Sequence, residues 1–338
     1  MTNPTPQAQH GRRARHLALI CLKLVVSGAL TWWVFSSVDL GASAERVASL
    51  DPAWGVAALL MFLVLLVVSA LRWLVFTRAL AVSSSTLATV KINFIASFLG
   101  QVLPAGVGID AVRVWFLTRR GARVGLSVAS VALDRLAGVG SLLLLIAVFL
   151  PLLFSKVKDA GIETGITIVL AGGAGGFVLL FLLLMVPRRF DHIKPMRAIA
   201  ETIKSARQNG LSRRPALMSF GLSIIVHLMS VVIVGFLAEG LGLAISWSTL
   251  LALIPTVMLL ATLPISLAGW GVREGAMVTA LGYVGVEAGD ALALSVLFGV
   301  VMIVASLPGA LFWLLEGRGL AQLIWSKMSI INRQNTGT

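Results

Sequence analysis

Several things are scarce in this 338-residue chain. It has one cysteine, four histidines, and 12% charged residues of which only 14 are acidic. The lone Cys21 excludes a disulfide framework and a thiolate metal site, and its place inside an apolar run suits a small packing residue. His192 and His227 have no partner at metal-ligand spacing. A soluble domain carries roughly 25% charge, so 12% charged residues beside 58% hydrophobic ones and a mean hydropathy of +0.97 indicate a polytopic membrane protein. The excess of Lys and Arg, net +13, does not point to nucleic acid. The basic residues lie between apolar runs of spanning length, where they set topology and meet anionic lipid. A cleavable leader is not expected either: after Arg12, Arg13 and Arg15 the apolar run extends from Leu17 to Val38 without a small-residue cleavage site, so it reads as a retained first span. Lys23 can snorkel to the interface.

The most informative stretch runs from Lys91 to Arg123. An apolar helix expected from Ile92 to Leu103 would be only about 18 Å long, short of a hydrocarbon core of roughly 30 Å. It breaks at Pro104 in a run holding Gly106 and Gly108, then resumes with Asp110 and Arg113 toward Arg119, Arg120 and Arg123. Broken helices are tolerated at membrane depth only where protein or a watery cavity surrounds the freed backbone groups. A second such segment runs from Ser248 to Val286, with Pro264, Gly269, Gly271, Arg273 and Glu274 at its break. Each segment has a Leu-Pro end, two glycines one residue apart, and an acid and an arginine.

Charge places the remaining runs. Asp39, Glu45 and Asp51 against Arg46 put the first loop outside, and Arg72 and Arg78 bring the second span, Ala53 to Val75, back to the cytoplasm. A third span follows from about Leu126 to Leu152, with Asp134 and Arg135 embedded in it. A fourth ends near Val186 and contains Gly172 and Gly176 at close-packing spacing. That glycine run lacks the Lys and Ser or Thr of a phosphate loop. Residues 187–215 hold eight basic residues against two acidic ones, a cytoplasmic loop of net +6. Ile193, Met196, Ile199 and Ile203 within it fit either an amphipathic helix on an anionic leaflet or a solvated linker. Spans from Ala216 to Ala238 and from Ala291 to Leu315 complete the chain. The expected architecture is all-α: about six full spans plus two re-entrant helical hairpins (about 86–117 and 248–286), arranged as inverted repeats. A ten-span account, with both arms crossing a thinned bilayer, stays open. The domain reading is a basic cytoplasmic N-terminus (1–16), a transmembrane domain (17–316) and a cytoplasmic tail (317–338), in a plasma (inner) membrane.

An inverted repeat ordinarily marks a transport pathway where its halves meet. Asp110, Arg113, Asp134, Arg135, Arg273 and Glu274 are the candidate substrate-binding or translocation residues, and Pro104, Gly106, Gly108, Pro264, Gly269 and Gly271 the helix breaks. A charge at a helix centre costs roughly 2.5–3.5 kcal/mol on insertion scales, so these groups require pairing or water. They form either structural ion pairs that lock the hairpins or a polar cavity whose arginines receive an anionic group. No metal, cofactor or ATP-hydrolysing motif is expected, and no enzymatic constellation stands out, although Asp110 meeting Asp134 would supply paired carboxylates.

At LPAGVGIDAVR, at VALDRLAG (Val131 to Gly138) and at LPISLAGWGVREGA the chain resembles the flippase-like transmembrane domain of lysylphosphatidylglycerol synthases, over roughly residues 17 to 316. The resemblance implies an integral membrane protein that moves a lipid with a charged or phosphorylated head group between leaflets. Full-length synthases carry a soluble aminoacyl-transferase domain after the membrane part. With about 22 residues after the last span here, lysyltransferase activity is not expected. Relatives beside glycosyltransferases or in hopanoid pathways leave the lipid open. They also leave an alternative role, as a membrane enzyme or enzyme partner in lipid-linked glycan, hopanoid or aminoacyl-phospholipid synthesis. An anionic membrane lipid is thus the expected partner, with a cytoplasmic or membrane synthase or a glycosyltransferase as a further one, and a homo-oligomer is compatible with the sequence.

Overall fold

The computed structural model describes residues 45–101, 107–157, 213–262 and 270–335, with short stretches between 161 and 175. The first span, the basic loop up to residue 212, Cys21, His192, Pro104, Gly106, Pro264 and Gly269 lie outside the described residues. Among those described, the secondary structure is helical. Four helices are long and apolar enough to cross a membrane: α1 (Pro52–Ala79) and α4 (Val124–Lys156), then α5 (Arg213–Gly240) and α8 (Ala288–Asn335), whose apolar part is Ala288–Glu316. Shorter helices lie between them: α2 (Thr86–Gly100), α3 (Val107–Arg119), α6 (Trp247–Thr262) and α7 (Val272–Gly282). This is a multi-pass membrane protein of all-helical fold.

Local chemistry sets the helix starts. Asp51 caps α1 by accepting from the Ala53 N–H at 2.9 Å, with Pro52 in the first turn, where its missing N–H costs nothing. Ser85 caps α2 by accepting from the Ala88 N–H at 3.2 Å. Hydropathy alone places that helix from Ile92, but the cap draws its start back to Thr86. α2 is still only 15 residues long, about 22 Å. Gly271 enters α7 at φ 83°, a conformation that a side chain rarely adopts, and its N–H donates to Glu274 Oε2 at 2.6 Å.

Hydrogen bonds and ion pairs sort the helix ends. The Asp51 N–H donates to the Gly240 carbonyl at 2.9 Å and Arg46 pairs with Asp290, so the starts of α1 and α8 lie beside the end of α5. Arg120 pairs with Glu316, so the end of α3 lies beside the end of the apolar part of α8, about 39 Å along that helix from Asp290. Arg78, near the end of α1, donates to Thr86 Oγ1 at 2.9 Å, at the start of α2.

Apolar side chains gain little by leaving lipid for protein, so the helices associate through close backbone approach. A Cβ on Gly309 of α8 would overlap the Phe94 carbonyl of α2, one on Gly235 of α5 the Trp247 ring, and one on Gly100 of α2 Ile109 of α3. In the described stretch between 161 and 175, Gly173 faces Leu143 of α4, where a Cβ would come within 2.9 Å, while Gly172 faces open space. The expected close-packing residue is therefore shifted by one, and Gly176 lies outside the described residues. The main core joins α1, α5, α6 and α8 through buried residues such as Ala58, Ile233, Leu237, Ile254 and Leu294. Val56, Leu60 and Val64 stand exposed at four-residue intervals on α1, a face suited to lipid.

Candidate functional site: two buried charge clusters

The first cluster joins five helices. Arg72 of α1 donates from Nε and Nη2 to the two carboxylate oxygens of Asp134 on α4, at 2.7 and 2.9 Å. Arg113 of α3 donates from Nη1 to Asp134 Oδ2 at 3.0 Å and from Nη2 to Asn93 Oδ1 of α2. Asn93 donates onward to the Leu66 carbonyl of α1 at 2.8 Å. Arg72 Nη1 reaches Ser223 Oγ of α5 at 3.5 Å. His227 of α5 meets the Gly138 carbonyl at 3.0 Å, so its Nε2 is the donor. Asp134 is 0% exposed and carries two guanidinium partners.

Arg135 follows Asp134 directly, yet consecutive helical side chains diverge by about 100°. It points to the edge of the cluster and pairs with Asp110 of α3 through Nε at 2.8 Å and Nη2 at 2.9 Å. Arg135 is 40% exposed at its side chain and Asp110 22%, whereas Arg113 retains 5%. Asp110 Oδ1 also lies 4.0 Å from Arg113 Nη1, one helical turn along α3. The Arg113 guanidinium rests 5.1 Å from the centroid of the Trp73 ring, whose Nε1 donates to Ser130 Oγ at 3.2 Å. Arg113 Nε is buried without a hydrogen-bond partner. Among the described residues, three arginines therefore meet two carboxylates, leaving one unit of positive charge, and Arg113 Nε is an unused donor.

The second cluster sits at the N-terminus of α7 and is balanced. Glu274 accepts from the Gly271 N–H through Oε2 and from Arg273 Nε at 3.0 Å and Nη2 through Oε1. Ser295 of α8 lies 3.3 Å from Arg273 Nε and 3.4 Å from Glu274 Oε1. The Arg273 guanidinium lies 4.7 Å from the Trp270 ring centroid and 5.7 Å from that of Phe298. A Cβ on Gly299 would come within 2.5 Å of Arg273 Nη2 and 2.8 Å of Trp270. Glu274 is 0% exposed and Arg273 3%.

The structure thus brings Asp110, Arg113, Asp134 and Arg135 into one cluster and holds Arg273 with Glu274 in another. Along α8, Ser295 and the Gly309 contact with α2 are separated by about 21 Å, which sets the scale between the two clusters. Gly108 lies buried in the first turn of α3. Sequence reasoning missed Arg72, Asn93, Ser223 and Ser295. Arg72 was expected at the cytoplasmic end of its span; burial in the protein and the Asp134 carboxylate hold it inside instead. Its signal was Arg78, a second basic residue six positions later that already supplies the interfacial charge. Among the described residues, no group of three His, Cys, Asp or Glu side chains converges as a metal site would require. The chemistry on offer is anion binding by guanidinium groups and charge exchange among carboxylates.

Residues 20–309 match the family model described as Lysylphosphatidylglycerol synthase TM region, a stretch that contains both clusters. No curated protein matches the chain.

Proposed function

The chain belongs to the lysylphosphatidylglycerol synthase transmembrane-region family, and from that premise we propose that it is a lipid translocase that carries an anionic or phosphorylated lipid between leaflets. The observation that carries this reading is the imbalance of the first cluster. Arg72, Arg113 and Arg135 outnumber Asp110 and Asp134 by one, and Arg135 is open enough to be reached. A lone excess cation at membrane depth is costly, and a bound anionic head group would balance it.

The arrangement of helices supports a pathway. α2 starts at the end of α1, and α3 returns beside Glu316. α6 follows the end of α5, and α7 leads back to the start of α8. In our reading these are two re-entrant hairpins from opposite sides, each between two long helices, which makes an inverted repeat whose halves meet at a transport route. Exposed Arg78, Arg119, Arg120 and Arg123 lie toward one end, and exposed Glu45, Asp51, Glu239 and Glu287 toward the other. That distribution supports a cytoplasmic location for the first end. A synthase or glycosyltransferase that makes or uses the lipid is the natural partner at that face.

The test is leaflet exchange of fluorescent anionic phospholipids and polyprenyl phosphate in liposomes containing the purified chain. Exchange that falls at least tenfold in Arg135→Ala, with thermal unfolding unchanged, supports a translocase. Absence of exchange for every head group, with folded protein and an imposed ion gradient, shifts the assignment to an enzyme or enzyme partner in lipid synthesis.

A further inference from the structure

Within the translocase reading, on which this inference rests, the three arginines of the first cluster are not equivalent. Arg72 is committed, with Nε and Nη2 on Asp134, a carboxylate 0% exposed, and Nη1 on Ser223. Arg113 is 4% exposed and is held by Asp134 and Asn93, with Nε left over. Only Arg135 combines exposure, 40% at its side chain, with a partner that has somewhere else to go. That partner is Asp110, whose Oδ1 already stands 4.0 Å from Arg113 Nη1.

We propose that Asp110 is the latch of the anion site: it covers Arg135 while the site is empty and transfers to Arg113 when a phosphate group takes its place on Arg135. The transfer conserves pairing. The phosphate replaces the Asp110 carboxylate on the Arg135 fork, in the bidentate manner suited to guanidinium. The displaced carboxylate gains Arg113, closing the 4.0 Å gap to its Nη1. Arg135 is then the group that touches the ligand, and Asp110 is a positioning residue acting through it. Arg113, expected from the sequence to meet the phosphate itself, becomes the acceptor of the displaced charge.

The test is a titration of the full-length chain in detergent with short-chain phosphatidylglycerol, with inorganic phosphate as a parallel arm. Asp110→Asn removes the competing charge, so affinity should rise by about five- to tenfold. Asp110→Glu restores the carboxylate and should return affinity toward wild type, and Arg135→Gln should abolish binding in either background. Equal or weaker binding by folded Asp110→Asn overturns the latch, as does unchanged binding by Arg135→Gln. A merely structural role for Asp110 predicts lower affinity and lower thermal stability together, never tighter binding. At least a tenfold preference for the lipid over inorganic phosphate assigns the ligand to a lipid head group, and equal affinities assign it to free phosphate. Leaflet exchange measured beside binding keeps the two readings apart. Tighter binding by Asp110→Asn with no exchange in wild type sustains the latch and removes the translocase. Exchange unaltered by Arg135→Gln removes the latch alone.

Discussion

Replacing Asp134 with Asn tests whether the five-helix cluster holds the fold together. The carboxylate is fully buried and receives Arg72 at 2.7 and 2.9 Å and Arg113 at 3.0 Å. Asparagine keeps the volume and one acceptor but removes the charge that both guanidinium groups face. Removing one partner of a buried pair costs about 3–5 kcal/mol, because the remaining charge is left uncompensated. For domains of 150–250 residues each kcal/mol moves Tm by about 2–4 °C, and a longer chain sits at the lower end, so a drop of about 6–10 °C is expected. The assay is thermal unfolding in lipid nanodiscs followed by tryptophan fluorescence. Arg72→Met is the internal control: it leaves the Arg113–Asp134 contact and should cost less than Asp134→Asn. Combining the two should cost less than the sum of the single changes, because the second change removes a charge that the first left stranded. An Asp134→Asn protein within 2 °C of wild type, or an Arg72→Met protein less stable than it, would refute the account.

Three other outcomes follow from the packing. Gly309→Ala would drive a methyl group into the Phe94 carbonyl, and because backbone cannot rotate away, α8 must separate from α2, at about 1–3 kcal/mol or more in unfolding measurements. Glu274→Ala removes the acceptor of the Gly271 N–H and the partner of Arg273 together, so hydrogen exchange at the start of α7 should rise alongside a fall in Tm. The Arg46–Asp290 pair is partly exposed; the hydrogen bond to Asp290, followed by its charge, raises the already high Arg46 pKa, so the cation persists throughout ordinary pH. Asp290→Asn should therefore change stability by no more than about 1 kcal/mol, an effect that 0.5 M salt removes.

The sequence made the helices legible because hydropathy reports burial in lipid or protein alike, and α1, α4, α5 and α8 are long enough to register. It also marked the start of α7, since Gly271 at φ 83° and the Glu274 cap are local features. The charge partners were not legible for a physical reason. Asp134 and Arg135 are adjacent in the chain yet face different directions, so the acid–arginine neighbours suggested by sequence are not partners; Asp134 belongs to Arg72 and Arg113, and Arg135 to Asp110. Arg273 and Glu274, adjacent as well, do pair, because the cap geometry turns the carboxylate back over the start of the helix. Asn93 carried no charge to attract notice, although an amide in an apolar helix needs partners on both its oxygen and its nitrogen, and both are found.

The α2–α3 and α6–α7 regions therefore share sequence features but not electrostatics. At α7 the single cation is matched by the single carboxylate, flanked by two aromatic rings and backed by Gly299, so the local charge is zero and Arg273 is held on every side. At α3 the charge is +1, the outermost pair is partly open, and one carboxylate lies within reach of two arginines. A balanced, closed cluster has no electrostatic reason to exchange partners, whereas an unbalanced one gains from any anion that reaches it. If the halves rock against each other around a bound lipid, the α7 end supplies the rigid wall and the α3 end the responsive one. On the latch proposal, this asymmetry makes the α3 cluster, where Asp110, Arg113 and Arg135 meet, the place where ligand binding would be converted into rearrangement.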